Sequence, residues 1–320
     1  MAQDGTSRPR GRTGWTWTAP AVALALAASG LGLAACTSSS ATGTSTGVVE
    51  AVGAESQYAD VIRQVGGRYV HVTSILDNPN TDPHTFEAST TVARAVAGAR
   101  LVVQNGLGYD TFLSDVESAS PDPTRRVVVA QQVLRLPDST PNPHLWYDPR
   151  TMPAVAAAVA RDLTALEPAH RAYFTGRLTA FDDSLRPWLA AVAAFRQVHT
   201  GVKVAVSEPV ADYLLAAMGA DVVTPFVFQA DIMNGVDPSP EGITQEEHLV
   251  TGHVARAFCY NQQVQDSLTG SIRAKAVAAG VPVVAVYETM PAGYDYQRWM
   301  LAETSALSRA VVRGTSTERL

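Results

Sequence analysis

The sequence has few cysteines and no excess of basic residues over acidic ones. Each of these features excludes certain classes of protein. Only two cysteines occur in 320 residues, which excludes a disulfide framework, a cysteine-based zinc finger and an iron–sulfur site. Lys and Arg number 24 against 30 Asp and Glu, a net charge of −6, so a nucleic-acid surface or an anionic-membrane surface built on charge is not expected. Hydrophobic residues make up 46% of the chain, enough for a buried core, and the length suits two domains of ordinary size.

The first 35 residues are predicted to be a lipoprotein signal peptide. Three arginines within the first 12 residues precede an uncharged run, 19–35, that is too short to span a membrane comfortably. The run ends at Leu33-Ala34-Ala35-Cys36, which resembles a bacterial lipobox. We therefore expect Cys36 to carry lipid and to anchor the mature protein on the extracytoplasmic side of a bacterial cell membrane; an ordinary cleavable signal is the alternative. Residues 36–47, mostly Thr, Ser, Gly and Ala, are predicted to form a flexible tether.

Strand-like and helix-like segments alternate on both sides of one long helical stretch. The predicted strands are residues 48–52, 70–76, 101–103 and 127–130 before that stretch and 203–206, 257–260 and 283–286 after it. Strands separated by helices form parallel sheets with ligand sites at the strand ends. The predicted fold is α/β, with two lobes, each a mostly parallel sheet flanked by helices, joined by one long backbone helix. The expected boundaries are 48–165 for the N-terminal lobe, 166–200 for the linking helix and 201–320 for the C-terminal lobe.

The linking helix is predicted from the spacing of its apolar residues. These recur at intervals of four and three residues, at Phe174, Leu178, Phe181, Leu185, Trp188, Val192 and Phe195. Such spacing keeps one face of a helix apolar throughout. Pro187 should kink the helix, because proline lacks an N–H and its ring clashes with the preceding turn. A coiled coil is the alternative, but about three heptads in a globular chain favour a packed backbone helix.

Two loops each place a histidine directly after a proline. The first is Asp82-Pro83-His84-Thr85-Phe86-Glu87 and the second is Asn142-Pro143-His144-Leu145-Trp146-Tyr147-Asp148-Pro149. Proline fixes the backbone before each His, so that the imidazole can be presented in a set direction, as a metal ligand requires. A single loop histidine is usually a solvated surface residue. Two such loops in a chain with seven histidines make His84 and His144 candidate metal ligands.

Two carboxylates follow apolar strands in the second half. Glu208 follows the predicted strand 203–206, and Glu288 follows the predicted strand 283–286. An acidic residue at such a position is often only a helix cap or a first-turn charge. Together with the two histidines, however, these carboxylates predict a divalent metal site of two nitrogen and two oxygen ligands, or one with additional oxygen ligands.

These motifs resemble the solute-binding subunits, periplasmic or lipid-anchored, of zinc/manganese ABC transporters, a family that includes streptococcal metal-binding adhesins. The likeness runs from about residue 48 to 312 and rests on both Pro-His motifs in order, on Glu55-Ser56, on Asn105-Gly106-Leu107-Gly108 and on the long helix. It implies a receptor, acting as a monomer with an ABC permease as partner, and leaves adhesion as a further role.

The resemblance also implies a ligand set. His84 and His144 correspond to imidazole ligands, and Glu208 lies where the family has His or Glu. Glu288 lies where the family usually has Asp, and Asp295 is the nearest substitute. No histidine occurs between the two Pro-His motifs, so the His-rich loop of many zinc-specific members is missing.

The candidate ligands, two histidines and two carboxylates, leave Zn²⁺ and Mn²⁺ as the leading metals. Inherent affinity favours Zn²⁺, and the two carboxylates favour Mn²⁺. Cu(I) would want Met or Cys beside the histidines, and Ca²⁺ would want an all-oxygen cage. A receptor rather than an enzyme is expected, since a secreted metallohydrolase would need an open coordination position and a general base, and no His-Glu-x-x-His motif occurs. The other alternative is a lipoprotein that binds an organic solute or an adhesion partner.

Overall fold

The computed structural model describes residues 47–80 and 86–320, and these residues belong to one compact unit. The signal peptide, Cys36, nearly all of the tether and His84 therefore lie outside the described residues. The described elements before the linking stretch are β1 (Val49–Glu55), α1 (Ser56–Gly66), β2 (Val70–Leu76), α2 (Thr90–Gly98), β3 (Leu101–Gln104), α3 (Thr111–Ala119), β4 (Arg126–Val129), α4 (Ala130–Val133) and α5 (Thr151–Leu166).

The second half repeats this alternation after two helices. Its elements are α6 (Arg171–Ser184), α7 (Arg186–His199), β5 (Lys203–Val206), α8 (Asp212–Ala217), β6 (Asp221–Val222), α9 (Phe226–Met233), α10 (Pro240–Thr251), β7 (Ala257–Asn261), α11 (Ser267–Ala278), β8 (Val283–Val286) and α12 (Tyr296–Arg313). Short 3₁₀ turns precede β2, α5, α6 and α8. In the part of the chain that the structure describes, no helix is both long enough and apolar enough to cross a bilayer.

Each half contains a four-stranded parallel sheet, which confirms the predicted α/β class. The strand orders are β2-β1-β3-β4 and β6-β5-β7-β8, so the two sheets have the same topology. In the second sheet Val206 pairs with Cys259, and Asn261 pairs with Val286. This register brings the carboxyl ends of β5, β7 and β8 to one edge, where the residues that follow these strands can meet.

The predicted linking helix is present as two consecutive helices, α6 and α7, interrupted at Leu185. The interruption lies two residues before Pro187, which occupies the second position of α7, where a missing N–H leaves no hydrogen bond unmade. Six of the seven predicted face residues are buried, and Leu178 is partly buried. The predicted apolar face is therefore confirmed, and the predicted kink is a break between two helices.

The two helices contact different parts of the molecule. Helix α6 packs on α1 and α5 from the first half, whereas α7 packs on α8 and α12 from the second half. Trp188 of α7 donates a hydrogen bond through Nε1 to the hydroxyl of Thr304 in α12, at 3.0 Å. The stretch thus joins elements of both halves, as a linking helix would; the exact lobe boundaries at 165 and 201 stay a prediction.

Close packing of α1 on β1 starts at a glycine. A Cβ atom at Gly53 would occupy the space of the backbone of Ala59, so only glycine lets the first turn of α1 approach the strand. The start of α1 also contacts the second half, because the hydroxyl of Ser56 accepts a hydrogen bond from the backbone of Met290 at 3.0 Å. The carboxyl end of β1 consequently lies beside the segment that carries Glu288.

Candidate metal centre

His144 is completely buried, and its ring orientation is set by Asn142. The amide nitrogen of Asn142 donates to the carbonyl of Pro209 at 2.7 Å, so its Oδ1 must be the atom facing His144. That oxygen accepts from the backbone N–H of His144 at 3.0 Å and lies 2.8 Å from Nδ1. Because an amide oxygen only accepts, Nδ1 carries the proton, and Nε2 is the nitrogen suited to bind a metal.

Glu288 meets His144 across the two halves of the chain. Its side chain is completely buried, and Oε2 lies 3.2 Å from Nε2 of His144. Two ligand atoms bound to one tetrahedral Zn²⁺ at about 2.0 to 2.1 Å are separated by about 3.3 Å. The two atoms are thus already spaced as two ligands of one ion would be.

Glu208 lies at the same edge of the second sheet, after β5. It is 2% exposed, and its Oε2 lies 3.4 Å from the side-chain nitrogen of Asn261, which donates to it. The same nitrogen donates to Oε1 of Glu288 at 2.6 Å. One amide therefore connects the two predicted carboxylates.

The structure brings together three of the four predicted ligands. His144 and Glu288 touch directly, and Glu208 joins them through Asn261. The described ranges, which omit residues 81–85, contain no group of three His, Cys, Asp or Glu side chains arranged to hold a metal ion. His84, the fourth predicted ligand, falls in that omitted range.

Asp295, the alternative to Glu288, has a different position and a local role. Its Oδ1 accepts from the backbone N–H of Arg298 at 2.8 Å, which caps the start of α12, and its Oδ2 pairs with the Arg298 guanidinium at 2.9 Å. The Asp295 side chain is 39% exposed, against 0% for Glu288. The geometry thus favours Glu288 as the second-half carboxylate that faces His144.

Tyr109 is a site residue that the sequence did not reveal. Its hydroxyl donates to Oε2 of Glu288 at 2.8 Å, and its ring meets the His144 ring edge-on at 5.9 Å between centroids. Burial, followed by the charge of Glu288, raises the pKa of Tyr109 well above its ordinary value. Tyr109 is therefore a permanent proton donor to this carboxylate.

The loop that carries Tyr109 has an unusual backbone. Gly106, Leu107 and Gly108 all have positive φ angles. Asp110 stabilises the turn by accepting backbone hydrogen bonds from Asn105 and Gly106. The glycine motif was visible in the sequence, but nothing there indicated that the next side chain would reach a residue 179 positions away.

A further buried carboxyl, Glu303, lies behind the site on α12. The Tyr147 hydroxyl donates to the carbonyl of Tyr287 at 2.9 Å and lies 3.2 Å from Oε1 of Glu303. Trp299 donates to the same oxygen of Glu303 through Nε1 at 3.1 Å. Burial raises the pKa of Glu303 to about 8 despite these hydrogen bonds, so the carboxyl is mostly neutral at pH 7.

Replacing Glu303 with glutamine should stabilise the protein, and increasingly so as the pH rises. The unfolded carboxyl ionises near its ordinary pKa of 4.5, whereas the folded one stays neutral up to about pH 8. Between these two pKa values the free energy of unfolding of the wild type therefore falls as the pH rises, by at most about 1.4 kcal/mol per pH unit. Glutamine has no charge to lose, and its amide oxygen in the place of Oε1 can accept from both Tyr147 and Trp299.

Urea unfolding at several pH values measures this effect. The difference in unfolding free energy between Glu303→Gln and wild type should grow between about pH 5 and pH 8 and then level off. The control, Glu87→Gln, changes an exposed carboxyl and should change the unfolding free energy only slightly. A pH-independent difference for Glu303→Gln would show that this carboxyl is ionised in the folded protein.

Comparison with known proteins shows which family and which relatives this chain is similar to. The family model described as "ZnuA: Zinc-uptake complex component A periplasmic" matches residues 52–310. The chain is 27% identical over 143 residues to "Zinc-binding protein TroA" of Treponema pallidum, covering 43% of this chain and 45% of that protein. It is 28% identical over 105 residues to "Manganese-binding lipoprotein MntA" of Bacillus subtilis, covering 31% of this chain and 34% of that protein. The chain thus spans less than half the length of the curated relatives it matches.

Solved structures share the fold over a longer range. The periplasmic zinc-binding protein TroA of Treponema pallidum superposes with a TM-score of 0.68 at 20% sequence identity, covering 84% of this chain and 100% of that one. At this identity the likeness concerns the fold. It supports the two-lobe α/β architecture with its helical connection.

Proposed function

The chain belongs to the family of the periplasmic component A of zinc-uptake complexes, and on this basis we propose that it is an extracytoplasmic receptor, not an enzyme, that captures a divalent transition metal and delivers it to an ABC permease. The observation that carries the proposal is the buried contact between Nε2 of His144 and Oε2 of Glu288, at 3.2 Å. These two atoms come from opposite halves of the chain. A metal bound by both would join the halves.

The proposed ligands are His84, His144, Glu208 and Glu288. Two neutral imidazoles and two carboxylates cancel the charge of a divalent cation, which makes a buried, dry site possible without an added counter-ion. Zn²⁺ is the favoured cargo, since it takes four nitrogen and oxygen ligands in tetrahedral geometry. Mn²⁺ is the second candidate, and the relatives named above include one zinc-binding and one manganese-binding protein.

Metal analysis of the purified mature protein, without an affinity tag, tests this proposal. We expect one tightly bound divalent ion per chain after incubation with Zn²⁺, and we expect Zn²⁺ to displace Mn²⁺ in competition. Metal-loaded protein should show no turnover of esters, peptides or phosphates. A protein that takes up no metal under these conditions would contradict the proposed function.

Membrane attachment is proposed to depend on Cys36. Replacing Cys36 with alanine removes the residue that the lipobox-like motif presents for lipidation. In bacterial fractionation the variant should leave the membrane fraction, because no acyl chains remain to hold a chain of this charge at the surface. Cys259 is a suitable control since it is a buried core residue of β7, so Cys259→Ser should stay with the membrane. Unchanged membrane association of Cys36→Ala would refute the lipid anchor.

A further inference from the structure

Tyr147 lies three residues after His144 and is completely buried. It ends the short 3₁₀ turn Leu145–Tyr147, which follows His144 directly. The backbone N–H of Tyr147 donates to the carbonyl of His144 at 3.2 Å and so closes the turn. Residues three apart on a 3₁₀ turn lie on the same side of it. In agreement with this, the side chains of His144 and Tyr147 both contact the segment that follows β8.

The Tyr147 hydroxyl completes the hydrogen bonding along one edge of β8. This strand is the last in the order β6-β5-β7-β8, so β7 covers only one of its edges. Along the other edge, the backbone of Thr317 accepts from the N–H of Ala285 and donates to the carbonyl of Val283, at 2.8 Å each. At Tyr287 the Tyr147 hydroxyl takes over this role: it donates to the carbonyl at 2.9 Å and accepts from the N–H at 3.2 Å. Because a buried backbone group without a partner is costly, both contacts hold Tyr147 to this end of β8.

The hydroxyl thereby connects two proposed ligands by a short route. His144 precedes Tyr147 by one 3₁₀ turn, and Glu288 follows Tyr287 directly in the chain. Nε2 of His144 and Oε2 of Glu288 lie 3.2 Å apart at the end of this route. Burial raises the pKa of Tyr147 well above its ordinary value, so the hydroxyl keeps the proton that its bond to the Tyr287 carbonyl needs.

We propose that Tyr147 is a positioning residue, whose hydroxyl fixes His144 at ligand distance from Glu288 before a metal arrives. This inference rests on the proposed function and concerns the preorganisation of the same site. A metal that meets ligand atoms already in place loses less free energy in ordering them. The ring of Tyr147 packs edge-on against Trp299, with centroids 5.7 Å apart, and this packing does not need the hydroxyl. The hydroxyl can therefore be tested apart from the bulk of the side chain.

Replacing Tyr147 with phenylalanine should weaken Zn²⁺ binding by about tenfold, the lower end of the range for residues that orient metal ligands. The lower end is expected because the Tyr296 hydroxyl also holds this turn, donating to the carbonyl of Trp146 at 2.7 Å. Competition with a chromophoric chelator gives the dissociation constant, and circular dichroism checks the fold. The matched control is Tyr173→Phe, which deletes a hydroxyl that accepts from the backbone of Arg68 and joins α6 to the turn before β2. It should leave the affinity unaltered.

The same substitution in a His144→Ala background separates positioning from general support of the fold. If the hydroxyl acts through the imidazole, Tyr147→Phe should cost no further affinity once the imidazole is gone. Equal losses in the two backgrounds would show that Tyr147 does not act through His144. Unaltered affinity of the single variant would overturn the proposal as well.

NMR of the metal-free protein with isotope-labelled histidine tests the position of the ring without any metal. The His144 signals are those that His144→Ala lacks. They should shift or broaden in Tyr147→Phe and stay in place in Tyr173→Phe, and unchanged signals in Tyr147→Phe would overturn the proposal. A wild type that binds no Zn²⁺, but whose His144 signals respond to Tyr147→Phe, would contradict the proposed function and not the role of Tyr147, so the two failures are distinguishable.

Discussion

Replacing His144 with alanine should reduce metal affinity by more than about 100-fold. Loss of a residue that only orients a metal ligand lowers metal affinity by about 10- to 100-fold. His144 is proposed to be a ligand itself, so its loss should have a larger effect. Its imidazole is fully buried, with Nε2 facing Glu288 and Nδ1 held by Asn142. The backbone N–H of residue 144 can still donate to Oδ1 of Asn142 after the change, so the loop should keep its conformation. Competition with a chromophoric chelator measures the dissociation constant.

His71→Ala is a matched control for this substitution. The His71 side chain is 68% exposed and pairs with Glu50 at the surface, so its loss should leave metal affinity unaltered. His84→Ala is the companion test for the second proposed imidazole and should match the loss seen at position 144. If His144→Ala binds Zn²⁺ as tightly as the parent protein, His144 is not a ligand.

Replacing Trp188 with alanine should lower the free energy of unfolding by about 3 to 5 kcal/mol, the cost of removing a large buried aromatic side chain. Trp188 is 1% exposed and packs edge-on against Tyr296, with ring centroids 5.7 Å apart. Its Nε1 also donates to Thr304 of α12. The side chain therefore contributes both apolar burial and a hydrogen bond to the contact of α7 with the second half.

Denaturant unfolding followed by circular dichroism measures this loss. Leu189→Ala is the control, because Leu189 is the next residue on the same helix and is 37% exposed; its replacement should cost much less. Equal losses for the two variants would mean that the buried face of α7 does not stabilise the fold. That result would also contradict the interpretation of this stretch as a packed linking helix.

Element type followed from the sequence for the linking stretch and for most of the strands. The four-and-three spacing over residues 174–195 predicted the face that α6 and α7 bury, and short apolar runs predicted seven of the eight strands that the structure describes. The two-residue strand β6 escaped prediction, since so short a segment has no periodicity. Helices α3, α4, α5, α9 and α10 were also not predicted, although α9 buries Phe228 and Ile232 and α10 buries Leu249 and Val250.

The candidate ligands were visible in the sequence, and their neighbours were not. Pro-His pairs and carboxylates after apolar strands are local patterns, so His84, His144, Glu208 and Glu288 could be named as candidates, with the family resemblance defining their roles. Tyr109 and Asn261 act on side chains that lie near them only in the folded chain. Asn142 contacts His144, two residues away, and is itself held by the distant backbone carbonyl of Pro209. No pattern of neighbouring residues in the sequence reveals such long-range contacts.

The sequence by itself therefore determined the α/β class and the amphipathic linking stretch and supplied candidate ligands, because propensity and periodicity act over neighbouring residues. Only the tertiary structure decided that Glu288, and not Asp295, faces His144, since this depends on the register of β7 and β8 and on the cap of α12. It also decided which carboxylate oxygen meets Asn261 and which meets the histidine. These choices arise where two halves of the chain are packed together, and the free energy of that packing is not encoded in any one segment.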